Sequence, residues 1–246
     1  MPLVKGKCYV IAEAGSCHMG SKDAAFRLIA AASHAGADAC KFQLFKLEDI
    51  LIDPSQGDKR TELPAGWIPE LADMCREHRI DFLCTPFAAW AVEALEPYVW
   101  AYKVGSFEHA REDIWDAIEK TGKPTIASCG RRLVGGDGHR LYCVSQYPAQ
   151  TETVYLPSLF NERGFDGFSD HTTSTVIPAL AVARGARIIE KHLRLPETTS
   201  DCPDFPHSLE PWQFAEMAKN IRLAETVCWR QPPSSPELSR YPNRRE

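Results

Sequence analysis

Tyr9-Val10-Ile11-Ala12, an amphipathic run over residues 24–35 closed by Gly36, and then Ala37-Asp38-Ala39-Cys40-Lys41-Phe42-Gln43: this stretch decides the fold. The outer runs are short and apolar, as buried strands are. Between them Phe26, Leu28, Ile29 and Ala32 recur at helical spacing. Gly36 stops the helical run, because glycine accepts the left-handed conformation that ends a helix. Strand, helix, strand in this order makes a unit whose two strands run parallel under a covering helix.

The alternation continues outward from this unit. After a polar loop rich in Asp, Pro and Gly to about Pro64, the pattern predicts a helix over 67–79, a strand over 81–86 and a helix over 88–95. A strand over 101–104 and a helix over 112–121 follow, closed by Gly122-Lys123-Pro124 before a strand over 125–128. Further strands are predicted over 140–145, 165–169 and 187–192. A short helix near 156–162 and a helix over 173–184, stopped by Gly185, separate them, and a last helix runs from Pro211 to about Val227. Eight strands in β-α order within 246 residues predict an α/β fold closed into a TIM (β/α)8 barrel. A doubly wound open sheet competes, but no G-x-G-x-x-G follows the first strand. The segment between Ser128 and Arg140 contains Gly130, Gly135, Gly136 and Gly138, so the helix after strand five is expected to be missing or reduced to a loop. The barrel domain is expected to span residues 1–229. Residues 230–246, with Gln231-Pro232-Pro233-Ser234-Ser235-Pro236, read as an extended or disordered tail.

A formal charge of -5 argues against a general nucleic-acid binder, since phosphate backbones are gripped by Lys and Arg. No apolar run approaches the roughly 18 to 20 residues of a membrane span, and the opening residues carry no secretory leader pattern. The nine cysteines form no C-x-x-C pair and are odd in number. They read as reduced thiols of a cytoplasmic protein, with no structural zinc site.

Barrel enzymes place their chemistry where strands end and the following loops begin. At those positions stand Glu13, Ser16 and His18; Lys41 and Gln43; Thr85; Lys103, Ser106 and Glu108; Ser128; Ser145 and Tyr147; Ser169, Asp170 and His171; and Glu190, Lys191 and His192. Lys41 and Lys103 are costly to bury without an anionic partner. With the neighbouring hydroxyls they describe a pocket for a phosphate or carboxylate, or else each pairs with Glu13 or Glu190. His171 and His192 close adjacent strands, an arrangement that suits a transition-metal ion; a hydrogen-bonding role for each is the alternative. His34 and His78 fall on helices, and His109, His139 and His207 in loops.

Several of these stretches together resemble the N-acetylneuraminate (sialic acid) synthase family. They are Tyr9-Val10-Ile11-Ala12-Glu13-Ala14-Gly15-Ser16-Cys17-His18-Met19-Gly20, Gly36 to Gln43, Thr85-Pro86-Phe87, Lys103-Val104-Gly105-Ser106, Cys143-Val144-Ser145-Gln146-Tyr147-Pro148, Gly167-Phe168-Ser169-Asp170-His171-Thr172 and Ile189-Glu190-Lys191-His192. The resemblance covers residues 8–227. It implies a TIM barrel, found as a domain-swapped dimer, that condenses phosphoenolpyruvate with N-acetylmannosamine or a related amino sugar. By position it implies that Lys41, Thr85, Lys103, Ser106, Ser145 and Ser169 bind phosphoenolpyruvate and that His171 and His192 hold Mn2+ or Mg2+. Glu13, Glu190, Tyr147 and Glu108 become the catalytic candidates, with Gln43, Tyr147 and Asp204 facing the sugar.

The chain departs from the family pattern in three ways. Cys17-His18-Met19-Gly20 stands where Asn-His-Asn-Gly is usual, which is expected to remove two polar side chains near the mouth. The fifth helix is expected to be missing. The chain stops at Glu246, about where a C-terminal antifreeze-like domain would begin. Sugar recognition is therefore expected to differ, to be lost, or to be completed by another polypeptide or a second copy. A regulatory barrel that binds phosphoenolpyruvate, and a keto-acid synthase with a different acceptor, remain open beside the synthase.

Overall fold

The computed structural model describes residues 6–128 and 138–229. Eight strands run in chain order: β1 Tyr9–Gly15, β2 Ala39–Leu44, β3 Asp81–Pro86, β4 Tyr102–Val104, β5 Thr125–Ser128, β6 His139–Cys143, β7 Gly167–Asp170 and β8 Ile188–His192. All their ladders are parallel, in the order β3-β2-β1-β8-β7-β6-β5-β4. The two ends, β3 and β4, pack side by side and bring the sheet round to a nearly closed TIM barrel. The helices outside are α1 Lys22–His34, α2 Leu47–Ile50, α3 Ile68–Glu77, α4 Ala89–Leu95, α5 Glu112–Thr121, α6 Ile177–Ala183 and α7 Pro211–Cys228. Among the described residues no helix is long and apolar enough to cross a membrane.

Local chemistry sets the helix ends. Ser21 accepts the Ala24 N–H at the start of α1, which buries Ala25, Leu28, Ile29 and Ala32. Gly122, at φ 69°, ends α5. The expected polar loop before Pro64 instead holds α2 and the 3-10 turns Pro54–Gln56 and Lys59–Thr61, whose first N–H groups are accepted by Asp53 and Asp58. α6 begins at Ile177 rather than Thr173, because the Ser174 hydroxyl accepts the N–H groups of Val176 and Ile177 and holds the preceding residues in a turn. The helix expected near 156–162 is absent. Only the turns Thr151–Thr153 and Asn161–Arg163 lie there, and the Arg184 guanidinium donates to the Leu156 carbonyl at 2.7 Å, holding the segment open. β6 starts at His139, which is not in a loop, and ends at Cys143, two residues short of Ser145. The expectation of a missing fifth helix falls on residues 129–137, and that of a tail on 230–246; both lie outside the described residues.

Alternation along the strands sorts the side chains. Ile11, Ala39, Leu83, Ala101, Ile126, Leu141 and Ile188 form a buried cluster of their own, backed by Tyr9 and Trp100. These inward residues plug the barrel. Residues one position off, such as Val10, Cys40, Phe82, Tyr102 and Ile189, belong to the larger core shared with the helices. Two positions beyond the plug, on the same inward face, come Glu13, Lys41, Thr85, Lys103, Ser128, Cys143 and Glu190. The interior is apolar below and polar above. β7 enters the plug layer with Gly167, where a Cβ would run into the Ile188 carbonyl oxygen of β8.

Candidate active site

The polar layer opens into a cavity of about 310 Å³ at the carboxyl ends of the strands. Glu13, Lys41, Gln43, Thr85, Lys103, Ser106, Glu108, Tyr147, Ser169, His171, Glu190, His192 and Asp204 all line it. Ser145 does not. It is exposed just past the end of β6, with its hydroxyl 3.8 Å from Cys143 Sγ, because the strand stops before the inward alternation reaches it. Asp170 and Lys191 also lie off the site. They point outward between Ser169 and His171, and between Glu190 and His192, and form a fully buried ion pair of 2.7 Å. Nor do Cys17, His18 and Met19 line the cavity, so the departure from the family pattern there does not alter its wall. The His18 Nδ1 instead accepts the Gly20 N–H at 3.1 Å.

Both lysines are buried, and both meet Glu190. Its Oε2 lies 3.7 Å from Lys41 Nζ and its Oε1 3.6 Å from Lys103 Nζ. Lys41 is also ion-paired with Glu13 and donates to Thr85 Oγ1 at 2.9 Å. Lys103 donates to Ser128 Oγ at 2.7 Å, and the Ser169 hydroxyl donates to Glu190 Oε1 at 2.8 Å. The two readings of the lysines therefore hold together: they gather at one cavity, and without a ligand their charge is met by two carboxylates.

The carboxylates differ. Burial raises the Glu13 pKa to about 7, against the pull of Lys41, and among the described residues its Oε1 has no hydrogen-bond partner. Burial works on Glu190 in the same sense, but Lys103, Lys41 and the Ser169 hydrogen bond outweigh it and hold the pKa down at about 2. Burial would lower Lys41, yet Glu13 and Glu190 keep it above the ordinary lysine value, while for Lys103 burial prevails and the pKa falls. Burial also lifts the carboxyl of Glu108.

Across the cavity the rings of His171 and His192 lie 5.6 Å apart. Burial lowers His171 to about 4 and His192 well below the ordinary histidine value, so both are neutral near pH 7 and free to offer a lone pair. The His171 Nδ1 faces the Val144 carbonyl oxygen at 3.2 Å, which leaves Nε2 for a ligand; among the described residues His192 Nδ1 has no hydrogen-bond partner. Neutral, buried, partly orphaned imidazoles beside a carboxylate are a donor set that fits a divalent metal.

Sequence reasoning missed His207, Phe107 and Pro203 in the wall. Phe107 follows Ser106 and stands 67% exposed at the mouth, its ring 5.9 Å from that of Tyr147. Tyr147 Oη in turn lies 3.2 Å from Ser106 Oγ. Asp204 and His207 reach the rim through a loop that leaves β8 and returns. Leu193 N–H donates to the Glu13 carbonyl, and Leu209 N–H donates to the His192 carbonyl at 2.9 Å. Gly15, at φ 50°, bulges β1 beneath this loop; a Cβ there would collide with the Asp204 carboxylate.

An eight-stranded parallel barrel with lysines, carboxylates and imidazoles converging on its carboxyl rim has the build of a TIM-barrel enzyme for a small anionic substrate. The sequence places it within that class. The NeuB family model matches residues 28–135 and 138–230, and the chain belongs to the NeuB family. It is 34% identical to an uncharacterized protein of Methanocaldococcus jannaschii, over 89% of this chain and 71% of that one. It is 32% identical to the pseudaminic acid synthase of Campylobacter jejuni, over 90% of this chain and 75% of that one. Among solved structures it is similar to the N-acetylneuraminic acid synthetase of Leptospira borgpetersenii, crystallised with citrate. That match has a TM-score of 0.83 at 26% identity, and covers 95% of this chain and 88% of the other.

Proposed function

We propose that this protein condenses phosphoenolpyruvate with an open-chain amino-sugar aldehyde of the N-acetylmannosamine type, giving a nonulosonic acid and inorganic phosphate. The observation that carries the reading is the pair of buried lysines sharing Glu190 on the floor of a cavity whose wall bears two neutral imidazoles. Family membership supports it.

Lys41 and Lys103 would take the phosphate and carboxylate of phosphoenolpyruvate, with the hydroxyls of Thr85, Ser106 and Ser169 filling the remaining acceptor directions. Ser145, outside the cavity, is not part of this set. His171 and His192 would hold Mn2+ or Mg2+, which when bound supplies Lewis-acid polarisation of the aldehyde oxygen. Gln43, Tyr147 and Asp204 border the space left for the sugar, and the exposed rings of Phe107 and Tyr147 offer it an apolar face.

Carbon 3 of phosphoenolpyruvate forms the new bond to the aldehyde carbon. Water then adds to carbon 2, and the bond from carbon 2 to the phosphate oxygen breaks. Glu13, with its pKa near 7, enters the complex protonated, gives that proton to the aldehyde oxygen as the new bond forms, and as a carboxylate then takes one from the water. Glu190 stays ionised and keeps both ammonium groups aimed at the substrate. Tyr147 and Glu108, at the mouth, are placed to exchange protons with the sugar hydroxyls.

Incubation of the purified protein with phosphoenolpyruvate, Mn2+ and a series of hexosamines should release phosphate in step with a new nonulosonic acid. No release with any of them, with or without a lysate supplying a partner, would overturn the proposal.

A further inference from the structure

Next to the two rim histidines stand two groups that the reaction above leaves without a metal role: the Asp204 carboxylate and His207, in the 3-10 turn Phe205–His207. Asp204 Oδ2 is committed, accepting the N–H and the hydroxyl of Ser16, each at 2.8 Å. Its Oδ1 faces two imidazoles, 3.4 Å from His207 Nε2 and 3.7 Å from His192 Nδ1. Among the described residues neither nitrogen makes a well-aligned hydrogen bond, and His207 Nδ1 has no partner either. His192, Asp204 and His207 are 5%, 9% and 3% exposed, so water does not satisfy these atoms freely. The two rings lie 4.3 Å apart at 78° to each other, too crossed to stack.

One nitrogen or oxygen atom from each of these three residues falls within 4.8 Å of the others. Donors each about 2.1 Å from one ion stand roughly 3.0 to 3.4 Å apart, depending on whether the geometry is octahedral or tetrahedral. The observed spacings are long for hydrogen bonds and close to those of ligands around a shared ion. The ring of His171 lies beside this group, 6.1 Å from that of His207 and 5.6 Å from that of His192. Such a set is rich in nitrogen. Magnesium prefers oxygen donors and keeps its waters, whereas imidazole with one carboxylate favours manganese, cobalt or zinc.

We propose that the rim holds a transition-metal ion, selected against Mg2+, and that His207 and Asp204 are direct ligands beside His192, with His171 completing the shell. This rests on the reaction above only for the ion's use; the ligand set stands on its own geometry. It also moves Asp204 Oδ1 from the sugar to the ion.

The test uses the whole protein stripped with a chelator, loaded with Co2+ and challenged with a hundredfold excess of Mg2+. X-ray absorption at the cobalt edge then counts imidazoles, and visible absorption reads the coordination. Wild type should keep its cobalt. His207→Phe and the better hydrogen-bonding His207→Gln should each lose one imidazole from the shell and bind Co2+ at least tenfold more weakly, while metal-free melting stays near that of metal-free wild type. An unchanged imidazole count in both variants, even with weaker binding, would show that His207 only positions its neighbours and would overturn the assignment. Displacement of cobalt by Mg2+ would overturn the selectivity. Cobalt held through His207 in a protein that releases no phosphate would sink the proposed reaction and leave the ligand set standing.

Discussion

Phosphoenolpyruvate should bind this protein together with a proton, and Glu13 should be where the proton goes. In the free protein the Glu13 pKa is about 7, raised chiefly by burial. A bound phosphate draws Lys41 toward itself and sets fresh negative charge beside the carboxyl. One unit charge at roughly 5 Å, at an effective dielectric constant of about 20, contributes about 3 kcal/mol, or roughly 2.4 pKa units. The Glu13 pKa in the complex therefore lies above about 9. A group whose pKa rises on binding weakens that binding as pH climbs past its free value. Affinity should thus be level below pH 7 and fall roughly thirtyfold between pH 7 and pH 9, where the ligand's own phosphate, with a second pKa near 6, is already ionised. Calorimetry of the metal-free protein at pH 8, in Tris and in HEPES, should register close to one proton taken up per ligand bound. Glu13→Gln should flatten most of the slope and abolish the uptake. Deprotonation of Lys103, whose pKa is lowered, can add a slope at the alkaline end, but it would persist in Glu13→Gln. A wild-type affinity that is flat from pH 7 to 9, or a variant with the wild-type slope, would refute the reasoning.

Replacing both His171 and His192 with Ala should abolish metal-dependent phosphate release yet leave phosphoenolpyruvate binding, read by calorimetry, largely intact; full activity in the double variant would remove the metal assignment. Gly167→Ala should destabilise the barrel by about 2 kcal/mol or more, measured as a lower urea midpoint, because the new methyl meets the rigid β8 backbone at Ile188 rather than a side chain that can rotate away. An unchanged midpoint would mean that β7 and β8 are less closely packed than described.

The parts of the fold that local sequence encodes were readable to the residue. Asp81–Pro86, Glu112–Thr121 and Thr125–Ser128 begin and end where apolar spacing and Gly122 say they should. The misjudged segments are held by distant partners: Arg184 reaches back to the Leu156 carbonyl and leaves no helix there. The site divides the same way. Glu13, Lys41, Thr85, Lys103 and Glu190 sit two residues past the apolar plug of their strands, at the carboxyl ends, so reading the strand ends found them. Asp204 was reached only through the family resemblance. His207 had no local signal, because a loop that closes on itself through Leu193 and Leu209 carries both over the rim.

The floor of the cavity contains two carboxylates of nearly identical burial, and their surroundings give them opposite behaviour. Glu190 lies between both ammonium groups and accepts the Ser169 hydroxyl, so its negative charge is met on three sides. Among the described residues Glu13 meets Lys41 alone and keeps one oxygen without a partner. Environments that drive two like groups apart in pKa allot one to fixed charge and the other to proton transfer. Two buried lysines can then wait for an anion without standing unneutralised, a condition that costs several kcal/mol per ion. When the anion arrives, only one of the two counter-charges has to disappear, and protonation at Glu13 removes it without moving the Glu13 side chain. Exchanging these roles would require taking Glu190 away from Lys103, 3.6 Å off. The division of labour between the carboxylates is therefore set by strand order: β1 stands beside β2 and its Lys41, while β8 looks across the barrel to both lysines.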